Sequence, residues 1–182
     1  MRSLKGLILG DSGDFPFIRN HFFYPIQKNC ISALWLLPRE DLWEEDVLQT
    51  PSRNYSASDV NEILTSAGLT TQASLQRNIK DERLFSMPAL GVPTQCLYST
   101  NVKTISKIVL NAELNSANTT GKMPSHTLIY DKDGDGLVNL RSLRKCDQMA
   151  DEVKEFDGVD HRGMLAKREV IDIILDAARV RS

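Results

Sequence analysis

No apolar run in this 182-residue chain approaches the roughly 20 residues that a bilayer-spanning helix requires. The richest, Ile31 to Pro38 (ISALWLLP), is far too short. Positive charge is not in excess either. The formal net charge is -2, whereas a nucleic-acid partner needs a basic patch to neutralise phosphates. The N-terminus lacks a signal-peptide core, because Asp11 and Asp14 end the apolar Leu7-Ile8-Leu9 stretch almost as it begins. The chain therefore reads either as cytosolic or as a piece whose natural start lies upstream. Cysteine is scarce: Cys30, Cys96 and Cys146 are the only three, and none has the C-x-x-C spacing of a metal site. Two of them can bridge and leave one over, but the count does not choose among the pairings.

What is present is ordinary for a globular protein: 41% hydrophobic and 25% charged residues. The length suits one sizeable domain, or a small one plus part of another. The first half sets Phe15, Phe17, Phe22, Phe23, Tyr24, Trp35 and Trp43 among Pro16, Pro25, Pro38 and Pro51, a punctuation that forbids long helices. A helix is expected from about Asp59 to Ala67. Asp59 and Glu62 have capping-box spacing, Val60, Ile63, Leu64 and Ala67 share a face, and Gly68 stops it. A second is expected around Ala73 to Leu84. The later half alternates differently. Thr94 to Thr100 reads as a strand, Asn115 to Ser125 as a loop, and Thr127 to Tyr130 as a strand entering an acidic run. Leu143, Cys146, Ala150 and Val153 share a helical face, Glu152 to Phe156 can begin a strand, and the chain closes on a helix whose seam is Met164, Ile171, Ile174, Leu175 and Ala178. The order implies an α/β fold.

The acidic run has competing readings. Asp131-x-Asp133-x-Asp135-Gly136-x-Val138-Asn139 matches the first nine positions of an EF-hand or dockerin-like calcium loop. Position twelve is Ser142, where a bidentate carboxylate belongs, and Gly121, Pro124 and a β-rich run occupy the place of the entering helix. A plain acidic surface turn is the bland alternative. The third reading is catalytic: in an α/β-hydrolase the acid sits in a loop just past a strand and the histidine follows later in the chain. Asp135 follows the strand ending at Tyr130, and His161 arrives after one helix and one strand. His21 and His126 have no such context.

These residues resemble the lecithin–cholesterol acyltransferase and lysosomal phospholipase A family over nearly the whole chain. The blocks run in order: Ser12-Gly13-Asp14, Trp35-Leu36-Leu37-Pro38, Val47-Leu48-Gln49-Thr50-Pro51, Asn54-Tyr55-Ser56, Gly91-Val92-Pro93 and Cys96-Leu97-Tyr98. The most specific is Asp133-Gly134-Asp135-Gly136-Leu137-Val138-Asn139 with Ser142 and Cys146, followed by His161 with Met164-Leu165. The resemblance implies the C-terminal part of an α/β-hydrolase fold, with residues 1–90 as cap or lid and 91–182 as core. It places the catalytic acid on Asp135, the catalytic histidine on His161 and a disulfide on Cys96 and Cys146, leaving Cys30 unpaired. Asn54 fits a family glycosylation sequon, and Asn118-Thr119-Thr120 is a further one. The implied substrates are phospholipids and lipid alcohols at a membrane or lipoprotein surface, with no metal or other cofactor. The implied setting is secreted or lysosomal.

This chain departs from the family's pattern in several places. No G-x-S-x-G nucleophile elbow occurs in it, so the nucleophile is expected outside the chain, which is expected to be inactive alone. Ser99 stands where the family has glycine after the tyrosine, Leu137 replaces threonine, the stretch from Cys146 to His161 is short, and a tryptophan near Met149 is missing. Trp35, Leu36 and Leu37 are expected to pack within the cap's own core. A rival nucleophile, Ser12 in Gly10-Asp11-Ser12, resembles the GDSL-type esterases. It lacks their glycine-x-asparagine-aspartate block and has the wrong spacing to His161; a turn residue is the alternative.

Overall fold

A computed structural model of the chain describes residues 1–9, 29–79, 90–115 and 125–179. Ser12, His21, Asn118, the loop at 116–124 and the expected helix end at Leu84 lie outside them. Helices and strands are mixed, as an α/β reading requires. The chain divides into two compact units, residues 1–86 with 105–129, and residues 87–104 with 130–182. Among the described residues no helix is long and apolar enough to cross a membrane.

The first unit is built around a four-stranded sheet of order β2-β1-β4-β5. Its strands are β1 (Leu48–Gln49), β2 (Asn54–Tyr55), β4 (Thr104–Leu110) and β5 (His126–Asp131). A turn in which Thr50 N–H donates to Arg53 O at 2.8 Å folds β2 back antiparallel on β1. On its other side β1 runs parallel to β4, with Leu48 opposite Ile108. Leu48, Ile108 and Leu110 enter the core together with Leu4, Leu7 and Ile8 of α1 (Arg2–Leu9). The α1 helix occupies the stretch that reads in sequence only as a brief apolar run; its i, i+3, i+4 spacing puts those side chains on one face.

Helices α2 (Val60–Ser66) and α3 (Thr70–Ile79) complete that core through Val60, Ile63, Leu64 and Ala73. The capping box sits one turn earlier than the sequence spacing predicts. Ser56, not Asp59, opens the helical run: Ser56 N–H donates to Asp59 Oδ2 at 2.7 Å, ahead of a 3₁₀ turn over Ala57–Asp59. Asp59 thus answers Ser56 as the third residue of the box. Gly68, at φ +75°, reverses the chain between the helices as expected. Asn61 Nδ2 donates to Ala73 O and Gln76 Oε1, tying α3 to α2. Leu37 and Trp43 are buried, but Trp35 and Leu36 are exposed, because the Ile31–Leu36 segment is a 3₁₀ turn that turns them outward.

The second unit is organised by two strands, β3 (Gln95–Thr100) and β6 (Glu152–Asp157), parallel and in register from Gln95↔Glu152 to Thr100↔Asp157. Between them the chain runs through β4 and β5, then α4 (Leu140–Leu143) and a 3₁₀ turn over Arg144–Gln148. The helical run ends there. Val153, expected on a helical face with Cys146, lies in β6 and is exposed. A disulfide joins Cys96 on β3 to Cys146 on the 3₁₀ turn, with Cα atoms 6.0 Å apart, and Cys30 is a free, exposed thiol. Helix α5 (Arg168–Arg179) closes the unit and buries Val170. Its expected apolar seam, Ile171, Ile174 and Leu175, is exposed.

Candidate active site

Parallel strands send their carboxyl ends to one edge, and groups that act on ligands gather beyond that edge. Past β3 the chain turns at Asn101, which holds φ +60°, a conformation asparagine tolerates better than most residues. Asn101 Nδ2 donates to Asp157 Oδ1 at 2.6 Å, joining the ends of β3 and β6. Val102 N–H then donates to Gly134 O at 2.9 Å and forms a parallel bridge with Asp135. The acidic turn is thereby fastened to the end of β3.

The two glycines flanking Asp135 are needed for different reasons. A Cβ on Gly134 would lie 2.6 Å from Val138 O and collide with the Thr104 side chain. Gly136 takes φ +86°, which disfavours any side chain. Thr104, fully buried, accepts from Gly136 N–H at 2.9 Å and donates to Val102 O at 2.8 Å. The turn is closed by Asp135 N–H donating to Val138 O at 3.1 Å.

Within this frame the Asp135 carboxylate is only 5% exposed and fully engaged. Its Oδ1 accepts from Leu137 N–H at 2.9 Å and Val138 N–H at 2.7 Å. Its Oδ2 lies 2.7 Å from His161 Nδ1, and His161 N–H donates to Asp135 O at 2.7 Å. Because an ionised carboxylate only accepts, Nδ1 must carry the proton, which leaves the Nε2 lone pair free. His161 is 47% exposed, and among the described residues Nε2 has no hydrogen-bond partner. A fixed tautomer with an accessible Nε2 can take a proton from a hydroxyl that approaches it.

Supporting contacts brace the same unit. Tyr98 O–H donates to Glu155 Oε1 at 2.7 Å, and burial, followed by that bond, pushes the Tyr98 phenol up to about 12. Arg144 joins the pair through Glu155 at 3.3 Å. Asp160 Oδ1 accepts from Arg162 and Gly163 N–H groups, starting the 3₁₀ turn just past His161. Thr104 is the site residue that motif reading misses. The alternating, β-branched run Thr104-Ile105-Ser106-Lys107-Ile108-Val109-Leu110 is the signal that marks its strand.

The calcium-loop spacing does not become a cation cage. Strand β5, not a helix, enters the loop, Asp131 lies 3.6 Å from Arg141, and the carboxylates of Asp131, Asp133 and Asp135 do not converge on a common point. The metal-ligand-like group among the described residues is Cys96, Cys146 and Asp147, whose two sulfurs are already bonded to each other. Asn54 is exposed on β2, at the edge of its sheet. His126 opens β5.

The class defined so far is an α/β protein with a carboxylate-oriented imidazole beyond the ends of two parallel strands. No protein-family model matches the chain. It is 28% identical over 173 residues to the phosphatidylcholine-sterol acyltransferase of Gallus gallus, covering 91% of this chain and 40% of that one. To the lysosomal phospholipase A and acyltransferase of Canis lupus familiaris it is 30% identical over 148 residues, 80% of this chain and 34% of that one. The human enzyme of the same name is 29% identical over 174 residues, 91% of this chain and 40% of that one. The similarity to phosphatidylcholine-sterol acyltransferases and lysosomal phospholipase A/acyltransferases thus takes in 80–91% of this chain. The chain spans about two fifths of the length of the curated relatives it matches.

Proposed function

We propose that residues 91–182 supply the acid and base of a serine-type enzyme that transfers acyl groups from glycerophospholipid esters. Its nucleophilic serine lies outside residues 1–182, and residues 1–90 belong to its cap. The observation that carries this reading is the 2.7 Å contact between Asp135 Oδ2 and His161 Nδ1. The similarity of 80–91% of the chain to lipid acyltransferases and phospholipases supports it.

In the reaction His161 Nε2 removes the proton from the serine hydroxyl as the oxygen attacks the ester carbonyl. The imidazolium that forms is stabilised by Asp135, whose other oxygen is held by the Leu137 and Val138 amides. Returning the proton to the leaving lipid hydroxyl releases the lyso-lipid and leaves an acyl-serine. His161 then deprotonates the acceptor, water or a lipid alcohol, as its oxygen attacks the acyl-serine carbonyl; the serine oxygen departs and takes that proton back from His161. Oxyanion donors come from the part of the enzyme that bears the serine. The exposed Trp35 and Leu36 suit contact with a lipid surface. The Cys96–Cys146 bridge suits an oxidising route, secreted or lysosomal.

The test is His161→Ala in the longer protein that carries this segment. Hydrolysis of a phospholipid ester should fall by a factor on the order of 10⁴ or more in kcat. A variant that keeps a tenth of the activity would remove the assignment. Calorimetric titration addresses the calcium-binding alternative: heat of binding at millimolar calcium or below would favour it.

A further inference from the structure

Asp135 is held rigidly by its own turn, but His161 sits on a turn that follows β6 and needs a hold of its own. Gly158 takes φ +67° and its N–H donates to Thr100 O at 3.0 Å, which starts that turn. Ser99, on the inward face of β3, is 1% exposed. A hydroxyl so deeply buried must find partners. Its Oγ donates to Phe156 O at 2.8 Å and accepts from Val159 N–H at 3.1 Å. One side chain therefore spans from the carbonyl of Phe156, the penultimate residue of β6, to the amide two residues before His161. Phe156 is also the residue paired with Ser99 across the sheet, so the anchor point is itself fixed by the strand ladder. Downstream, Asp160 caps the 3₁₀ turn over Gly163–Ala166 through Gly163 N–H at 2.7 Å. The imidazole lies between a hold at Val159 and a hold at Gly163.

We infer that Ser99 is a positioning residue for His161: its buried hydroxyl sets the turn that keeps Nδ1 on Asp135. It does not touch substrate and moves no proton in the reaction. Its action is mechanical, through the Val159 amide. The inference rests on the proposed role of the Asp135–His161 pair, and it gives a structural role to a serine that the sequence marks only as a departure from the family's glycine. Without the hydroxyl, Val159 N–H and Phe156 O lose a partner, and the turn gains freedom to lift His161 away from the carboxylate.

The experiment uses the 182-residue chain labelled with ¹⁵N-histidine, and follows solvent exchange of the His161 Nδ1 proton by NMR. In the unaltered chain this proton should be protected, since Asp135 Oδ2 faces it. Ser99→Ala should raise its exchange rate about tenfold, the scale of one lost buried hydrogen bond. Ser99→Cys, close in volume but a weaker donor and acceptor, should fall between and covers the case in which the alanine variant does not fold. Ser106→Ala removes a hydroxyl from the first unit that donates to Ile129 O at 3.4 Å, and should leave His161 protection unchanged. A merely structural loss would shift melting temperature in both variants, but His161 exchange in neither.

Equal His161 protection in the unaltered chain and both Ser99 variants would overturn the inference, as would an unprotected proton in the unaltered chain. The outcome is separable from that of the functional reading. Full lipid hydrolysis by a His161→Ala enzyme would remove the catalytic role while leaving a Ser99-dependent exchange rate intact.

Discussion

Replacing Asp135 by asparagine changes one atom yet should abolish the base. The amide must choose how to face its neighbours. Leu137 and Val138 N–H groups lie 2.9 and 2.7 Å from Oδ1, and both require an acceptor there. Turning the Nδ2 group toward them would set donor against donor and leave two backbone amides unmatched, at about 1–3 kcal/mol each. The carbonyl oxygen therefore stays on the backbone, and Nδ2 occupies the place of Oδ2, 2.7 Å from His161 Nδ1. Two donors cannot share that contact, so the imidazole proton leaves Nδ1 for Nε2. The lone pair that should take the serine proton is then gone. The fold should survive, because the turn keeps its two amide bonds. The expected loss in kcat is about 10⁴-fold in the longer enzyme, with little change in KM. The assay pairs turnover of a short-chain phospholipid with ¹⁵N shifts of His161, which report the tautomer directly. Activity within tenfold of the unaltered enzyme, or an imidazole still protonated at Nδ1, would refute the reasoning.

Other expectations concern the frame around the pair. Gly134→Ala should destabilise the chain by about 1–3 kcal/mol, read as a lower urea midpoint, because its Cβ would meet Val138 O at 2.6 Å; an unchanged midpoint would mean the turn has slack. Reducing the Cys96–Cys146 bridge, which spans a sequence separation of 50, should cost about 4 kcal/mol by chain-entropy reasoning, visible as a lower midpoint under dithiothreitol. Asp59 supplies a pH signature. The Ser56 backbone N–H, with its hydroxyl and Arg53 assisting, holds the Asp59 carboxyl below its ordinary value. A depressed folded value means the stabilisation is present above the unfolded carboxylate value, about 4, and is lost as pH falls through the folded one. Asp59→Asn should therefore flatten the acid limb of stability measured by urea midpoints below about pH 4.

Legibility in the sequence followed how local each signal was. The D-G-D-G turn announces itself because two glycines flank a carboxylate, and chain order alone pairs Asp135 with a histidine ahead of the last helix. The structure brings the two to 2.7 Å. The helix at Val60–Ser66 was readable from its apolar spacing, but its cap was not. Two acidic residues fit the box spacing equally well, and Arg53, which contacts both Asp59 and Glu62, acts from outside the helix. Val153 fits a helical period with Cys146, yet the parallel pairing of β6 with β3 claims it for a strand. That pairing joins residues more than fifty positions apart, which periodicity cannot see. Thr104 went unread, and Ser99 stood out only as a departure from the family's glycine, for a related reason. A hydroxyl acquires its meaning from the amide it meets, and neither Gly136 nor Val159 is near its partner in sequence.

The central claim is that Asp135 and His161 act as one unit on a serine. A double-mutant comparison of kcat/KM in the longer enzyme addresses it most directly, using Asp135→Ala, His161→Ala and both together. Residues that work through one another give grossly non-additive losses. The double variant should thus be no slower than His161→Ala alone, within a few-fold. Losses that multiply, each independent of the other, would contradict the account.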